Sequence, residues 1–221
     1  MKQSLFICFL ISLPFHALAN EESATPIGGD YSERWTGVYY GASALAGVQI
    51  NTNRGFEDTL GLSYGANMRI SLALQLLDLH LSYIHSTSSP QVDGAGAQLN
   101  SDSVSISGGI HPFFLSAFIS PRMGYFLSSI YLLMGTGFES TEIQYMDIAT
   151  PQEWRLGFHT GGGFDYPITS PQRRQALWFG GQYRFHYVPT EFAPVLAHNQ
   201  EALRQHLFFF TLSYRINGLP F

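Results

Sequence analysis

The amino-acid sequence predicts an all-β fold, an up-and-down antiparallel barrel of eight strands crossing a membrane, with ten strands as the alternative. The first observation is a two-residue period. In 59–74 (TLGLSYGANMRISLAL) each even position is apolar, and from Gly61 to Ala73 each odd position is small or polar, Arg69 among them. Such a period gives a strand with one apolar and one polar face, whereas a helix would scatter these residues around its circumference. The second is length. A soluble strand runs to about 5–6 residues, and roughly 9–11 tilted residues cross a bilayer; this stretch has 16. The third is scarcity of charge: 12% of residues are charged, about half the roughly 25% usual in soluble domains.

The first 19 residues carry an address. Lys2 gives a positive start, residues 5–15 (LFICFLISLPF) an apolar core, and Ala17-Leu18-Ala19 a small-x-small cleavage site before Asn20. That pattern predicts a secretory signal peptide removed from the mature protein. Cys8, the only cysteine, lies inside it, so disulfides and thiolate chemistry are not expected. Lys2 is the only lysine, and its loss leaves ten arginines against 16 acids. A polybasic nucleic-acid surface is excluded. After the leader no apolar run approaches the roughly 18 residues of a transmembrane helix, so membrane crossing would fall to strands, whose signal is alternation.

Residues 20–34 (NEESATPIGGDYSER) are polar and read as a flexible lead-in, with the barrel occupying 35–221 as one domain. The first strand, 35–50, turns Val38, Tyr40, Ala42, Ala44, Ala46, Val48 and Ile50 to one face. A turn-rich loop at 51–58 leads to the second strand, and 75–78 reads as a tight connection. The third strand, 77–86, puts Leu79, Leu81 and Tyr83 outward and His80 and Ser82 inward. Residues 86–101 (STSSPQVDGAGAQLNS) read as a long polar loop. The fourth strand, 102–111, turns Val104, Ile106 and Ile110 outward and its serines and His111 inward.

Residues 112–128 (PFFLSAFISPRMGYFLS) are apolar without clean alternation and are broken by Pro121. They read as a longer connection with a short interfacial helix, or as the extra hairpin of a ten-stranded barrel. The fifth strand is 129–139, with Leu132, Met134 and Phe138 outward, and 140–153 is a second polar loop. The sixth, 154–166, turns Trp154, Leu156, Phe158, Phe164 and Tyr166 outward and Arg155, His159 and Asp165 inward. After a turn at 167–174 the seventh, 175–187, puts Leu177, Phe179, Tyr183, Phe185 and Tyr187 outward and Trp178, Gln182, Arg184 and His186 inward. Beyond the loop 188–201, the eighth, 207–216, faces Phe208, Phe210, Leu212, Tyr214 and Ile216 outward and Thr211, Ser213 and Arg215 inward.

On this phasing no outward position carries a charge, as a lipid-facing wall requires. Long loops at 51–58, 86–101, 140–153 and 188–201 share one side, and both termini and the short turns the other. Outward aromatics gather at strand ends: Tyr83, Phe138, Trp154, Tyr187 and Phe208 form one belt, and Tyr40, Tyr166 and Tyr214 the second, matching the preference of amphipathic rings for the headgroup level. A soluble lipocalin-like barrel has the opposite polarity. It would force runs of Gly and Ser onto the exposed face and four arginines onto the water side.

The leader ending ALA, the strand WTGVYYGASALAG, the strand GFHTGGGFDYPI and the terminal Phe221 together resemble the small eight-stranded bacterial outer-membrane barrels, the OmpA/OmpX/OmpW-like and opacity-type proteins. The resemblance implies the outer membrane of a Gram-negative bacterium as location. It also implies lipid and lipopolysaccharide as surroundings, the barrel-insertion machinery as a partner during assembly, and a monomer. Phe221 departs from the pattern, being out of register with the outward phase of the last strand. No peptidoglycan-binding domain follows the barrel, so an anchoring role is not implied.

An eight-stranded ring leaves room for side chains and little else. The expected lumen network comprises Arg69, His80, Asp102, His111, Glu139, Arg155, His159, Asp165, Arg184, His186 and Arg215, since buried charges need partners. A narrow polar conduit is disfavoured, because four guanidinium groups would fill it. His80-Leu81-Ser82 matches the His-x-Ser spacing of PagL-like lipid A deacylases, but the pair faces inward and no carboxylate is evident to orient the base. The histidines show no metal-ligand spacing. The chain is therefore expected to be no enzyme and to need no cofactor or metal. Two roles remain: a structural or surface-interaction barrel, or an OmpW-like channel for small apolar molecules, to which inward Leu133, Trp178 and Phe209 lend some support.

Overall fold

A computed structural model describes residues 39–52, 59–72, 76–92, 95–118, 123–145, 148–149, 153–169, 175–189 and 202–217. The leader, the lead-in, positions 35–38, Arg122, Phe221 and most of the 188–201 loop lie outside the described residues. Eight long strands run in chain order: β1 (Tyr39–Asn51), β2 (Thr59–Leu72), β3 (Leu77–Ser88), β4 (Ala95–Ile110), β5 (Tyr131–Tyr145), β6 (Glu153–Pro167), β7 (Gln175–Pro189) and β8 (Ala202–Asn217). Each pairs antiparallel with the next, and β1 pairs with β8 from Tyr39–Asn217 to Asn51–Gln205, which closes the ring. Closure pairs the sheet's two outermost strands, so neither long edge is left for aggregation.

The alternation read from the sequence sets which side chains face in. Odd positions of β1, β2, β4, β5, β6 and β8 and even positions of β3 and β7 point into the lumen. Polarity is inverted relative to a soluble core: Arg184 is 0% exposed while Met134 is 72% exposed. Leu60, Leu62, Met68, Leu132, Phe138 and Phe210 also lie open on the outer wall. Glycine admits close neighbours in this wall. A Cβ on Gly47 would sit 1.8 Å from the Phe208 carbonyl oxygen.

The strands are longer than their apolar patterns. Much of 86–101 and of 140–153, read as loop, is strand: β3 continues to Ser88, β4 begins at Ala95, β5 reaches Tyr145, and the short bridges Gln91–Val92 and Ile148–Ala149 extend the two hairpins. Polar composition does not end a strand whose backbone groups still find partners across the ladder. As a result the statement that no outward position is charged needs correction, because Asp102, Glu142 and Arg204 all fall in the outward phase of their strands. They lie near the loop-bearing strand ends, beyond the apolar wall.

The region 112–128 adds no hairpin. It holds a 3₁₀ turn, Phe114–Phe118, and one short helix, α1 (Met123–Ser128), so the count is eight. Both termini of the barrel and this connection occupy one end; the hairpins after β1, β3, β5 and β7 occupy the other.

Candidate functional site: the filled lumen

At the end bearing the termini, inward residues from seven strands and His111, just after β4, meet. Arg69 of β2 bonds Asp78 of β3 and, through its other arm, Asp165 of β6; Arg215 of β8 also reaches Asp165. His111, just after β4, places Nε2 2.7 Å from Asp78 Oδ2 and 2.8 Å from an Arg69 nitrogen. Aromatic faces cover the guanidinium groups. Arg69 lies 4.7 Å from the Tyr131 centroid, and Arg215 lies 4.0 Å from Trp178 and 4.5 Å from Tyr39. Stacking and bidentate bonding are how a planar cation is held away from water. Each charge here has an opposite partner, which burial requires.

Above this cluster a second tier is built from hydrogen bonds between neutral groups and one arginine. Arg184 donates Nη2–H to Ser82 at 2.8 Å and Nε–H to Gln182 at 3.2 Å, and Gln182 donates to the Tyr131 hydroxyl at 3.1 Å. Ser82 in turn donates to Asn67, whose amide meets His80 Nδ1. Beside it, His159 stacks on His186 at 5.2 Å, and His186 Nδ1 lies at ion-pair distance, 2.9 Å, from Glu139 Oε1. Glu139 Oε2, His159 Nδ1, His186 Nε2, Arg184 Nη1 and the hydroxyls of Ser103 and Ser105 have no hydrogen-bond partner.

Toward the loop-bearing end apolar clusters join the polar lining, which there includes the buried Gln49, Asn51, Ser86, Ser88 and Gln205. Leu45, Ile84, Leu207 and Phe209 pack together, and Ala97, Leu99, Ile143, Val188 and Leu203 form a further cluster with Tyr145 against it. Apart from Tyr145, which is partly buried, all are at most 6% exposed. The lumen is thus filled at both ends by different chemistry.

The eleven residues expected to line a network separate as follows. Arg69, His111, Asp165 and Arg215 meet in the ion cluster, and His80, Glu139, His159, Arg184 and His186 occupy the tier above it. Arg155 has the inward phase but stands at the rim, paired with Glu153 at 2.9 Å and 38% exposed in its side chain. Asp102 is outside the barrel altogether. Its phase along β4 is outward, and it accepts from the Tyr83 hydroxyl at 2.7 Å and pairs with His85 Nδ1 at 2.9 Å. The belt aromatics Tyr83, Trp154, Tyr166 and Tyr187 are on the outer wall and open, while Tyr40 and Tyr214 share that wall half-buried.

Asp78 was missed, having been read as the end of a turn. Its signal was present: it lies two residues before His80, in the inward phase of β3. Tyr39 and Tyr131 were not among the expected lumen residues, although both stand in the inward phase of their strands.

His80 and Ser82 share the inward face but engage Asn67 and Arg184 rather than each other. A Ser–His contact does occur at Ser107 Oγ–His159 Nε2, 2.6 Å. His159 Nδ1 has no carboxylate to orient it, so the arrangement that activates a serine is incomplete. Among the described residues no three His, Cys, Asp or Glu side chains form a metal site.

No protein-family model matches the chain, and no curated protein sequence does. Solved structures do. Ail, the attachment invasion locus protein of Yersinia pestis, in complex with the heparin analogue sucrose octasulfate, superposes with a TM-score of 0.50 at 11% identity, over 81% of this chain and 99% of Ail. The chain has the fold of the small eight-stranded outer-membrane barrels. Ail in a phospholipid nanodisc (TM-score 0.40, 11% identity, 80% and 99% covered) and the outer membrane protein OprG of Pseudomonas aeruginosa (0.34, 10%, 82% and 95%) are more distant matches. At such identities the likeness extends to the fold and no further.

Proposed function

We propose that this protein is an integral outer-membrane barrel of a Gram-negative bacterium, exported on a cleaved leader at 1–19, with one domain over 35–221. Its role is structural or lies in surface interaction, and its lumen passes no solute. The observation that carries this reading is the pairing of an open apolar wall with a lumen closed by Arg69, Arg215, Asp78 and Asp165 at one end and by packed Leu, Ile and Val at the other. The lumen network is structural: it fills the ring and satisfies inward charges.

A role in binding sulfated polysaccharides, by analogy with the Ail complex, finds little support in this chain. Among the described residues the arginines near the loop-bearing end are Arg155, already paired with Glu153, and Arg204, which has an interaction of its own.

The channel for small apolar molecules keeps one observation in its favour. Among the described residues the ladder between β6 and β7 begins at Phe158–Tyr187, with Leu156 and Gly157 facing the end of β7, and apolar residues stand behind that seam. Those residues fill the space they line, which favours the closed reading. Catalysis on lipid A is the weakest reading, given where His80 and Ser82 point.

The test is reconstitution. The purified protein should show heat-dependent gel mobility and β-rich circular dichroism in detergent. In vesicles it should admit neither a polar sugar nor a small apolar solute above the rate of protein-free vesicles. Selective entry of the apolar solute would replace this reading with the channel.

A further inference from the structure

We propose that the connection after β4, in its described parts 112–118 and 123–128, is a lipid-seated collar: these parts lie against the outside of the barrel and insert Phe113, Leu115 and Phe126 into the bilayer leaflet at the end bearing the termini. Instead of crossing that mouth as a plug or hanging in water, it widens the barrel's membrane footprint there. The inference rests on the membrane reading above.

The backbone of the connection is bolted to the lumen cluster. His111 Nδ1 lies 2.8 Å from the Ser128 carbonyl oxygen while its Nε2 faces Asp78, so one ring ties the end of α1 to the ion cluster. The Asp165 backbone N–H reaches Ser129 Oγ, and Ser129 donates to the Phe126 carbonyl. The side chains point elsewhere. Phe126 packs at 5.9 Å on Phe164, which belongs to the outer wall of β6, so α1 lies on the outside of the barrel.

Phe113 and Leu115 are more than half exposed, at 51% and 58%, with Phe126 at 36%. They continue an apolar surface made at this end by Ile110, Leu132, Tyr166 and Ile168, all at least half exposed. The 3₁₀ turn and α1 have no acid in their first turns and no base in their last, and Arg122 is the single charge of 112–128. A segment so apolar, continuous with a lipid-facing wall and bearing one cation, fits the headgroup–acyl boundary, into which interfacial segments sink about 5–10 Å. A water-soluble partner would ordinarily meet a polar rim around such a patch, and no charged rim surrounds this one among the described residues.

Site-directed spin labelling tests the collar. In the mature chain, which begins after Cys8, single cysteines at L115C and F113C carry a nitroxide, with M68C on the mid-wall as the membrane reference. All three positions are exposed, so the label should leave folding unaffected. The refolded protein in phosphatidylcholine vesicles is probed with oxygen, which concentrates in lipid, and with a water-soluble nickel chelate. The collar predicts that labels at 115 and 113 respond several-fold more to oxygen than to nickel, as at 68. A nickel response at 115 and 113, with 68 still lipid-like, overturns the collar while leaving the membrane barrel standing. Shielding from both probes also overturns it, by showing that protein, a second copy or a partner, covers the patch. A nickel response at 68 itself would overturn the membrane reading and the collar together.

Discussion

Arg69 shows how much a single side chain does when its surroundings exclude water. It bridges Asp78 and Asp165, which stand on different strands and lack other routes to solvent. Removing it leaves Asp78 to His111 and Asp165 to Arg215, and breaking a buried ion set costs about 3–5 kcal/mol. Arg69→Ala should therefore lower unfolding stability by that amount in urea titrations of the vesicle-bound protein. Arg155→Ala breaks an exposed pair and should cost about 0–1 kcal/mol. The same two arginines measure what the sequence could tell. Phase placed Arg69 inside correctly, but not its partners: Asp165 is 96 residues away, and only the register of the closed ring sets them side by side. Asp102 was assigned inward on chemistry alone. Its even position beside Val104 and Ile106 said outward, and the phase was the better guide. A carboxylate on the outer face is tolerated there because Tyr83 and His85 bond it and because β4 has by then left the apolar wall.

Strands carry two signals that part company near the loop-bearing end. Apolar alternation reports which residues contact lipid, whereas backbone pairing reports where the strand stops. Along β3 and β4 the first signal ends near Tyr83 and Val104, while the ladder continues through Thr87–Asn100 to Ser88–Leu99. The segment 86–101 was therefore legible as polar but not as strand. The two regions should answer differently to one substitution. Met68→Arg puts a cation on the exposed mid-wall of β2 and should cost about 2–4 kcal/mol in vesicle unfolding. Gln144→Arg, on the exposed outer face near the end of β5, should cost about 0–1 kcal/mol. Equal costs at the two sites would mean that the apolar wall extends to Tyr145 and that the polar strand ends are not clear of lipid.

For the molecule as a whole, the fold follows from alternation plus closure. The sequence states the alternation plainly; which inward residues share a level depends on strand stagger, which leaves no mark in composition. The consequence is a lumen closed twice. Near the termini the closure is ionic and aromatic, in Arg69, Arg215, Asp78, Asp165 and Trp178. Toward the loops it is apolar, in Leu207, Phe209, Leu203 and Ile143. Two closures in series hold even when one fails. Replacing Arg215 by Ala should open only the terminal closure, and Phe209→Gly with Leu203→Gly only the other. Planar-bilayer recordings should then show no steady current from either variant, and current only when the three changes are combined. Conductance from Arg215→Ala alone would show that the apolar clusters are permeable to ions, leaving the ionic tier as the sole barrier.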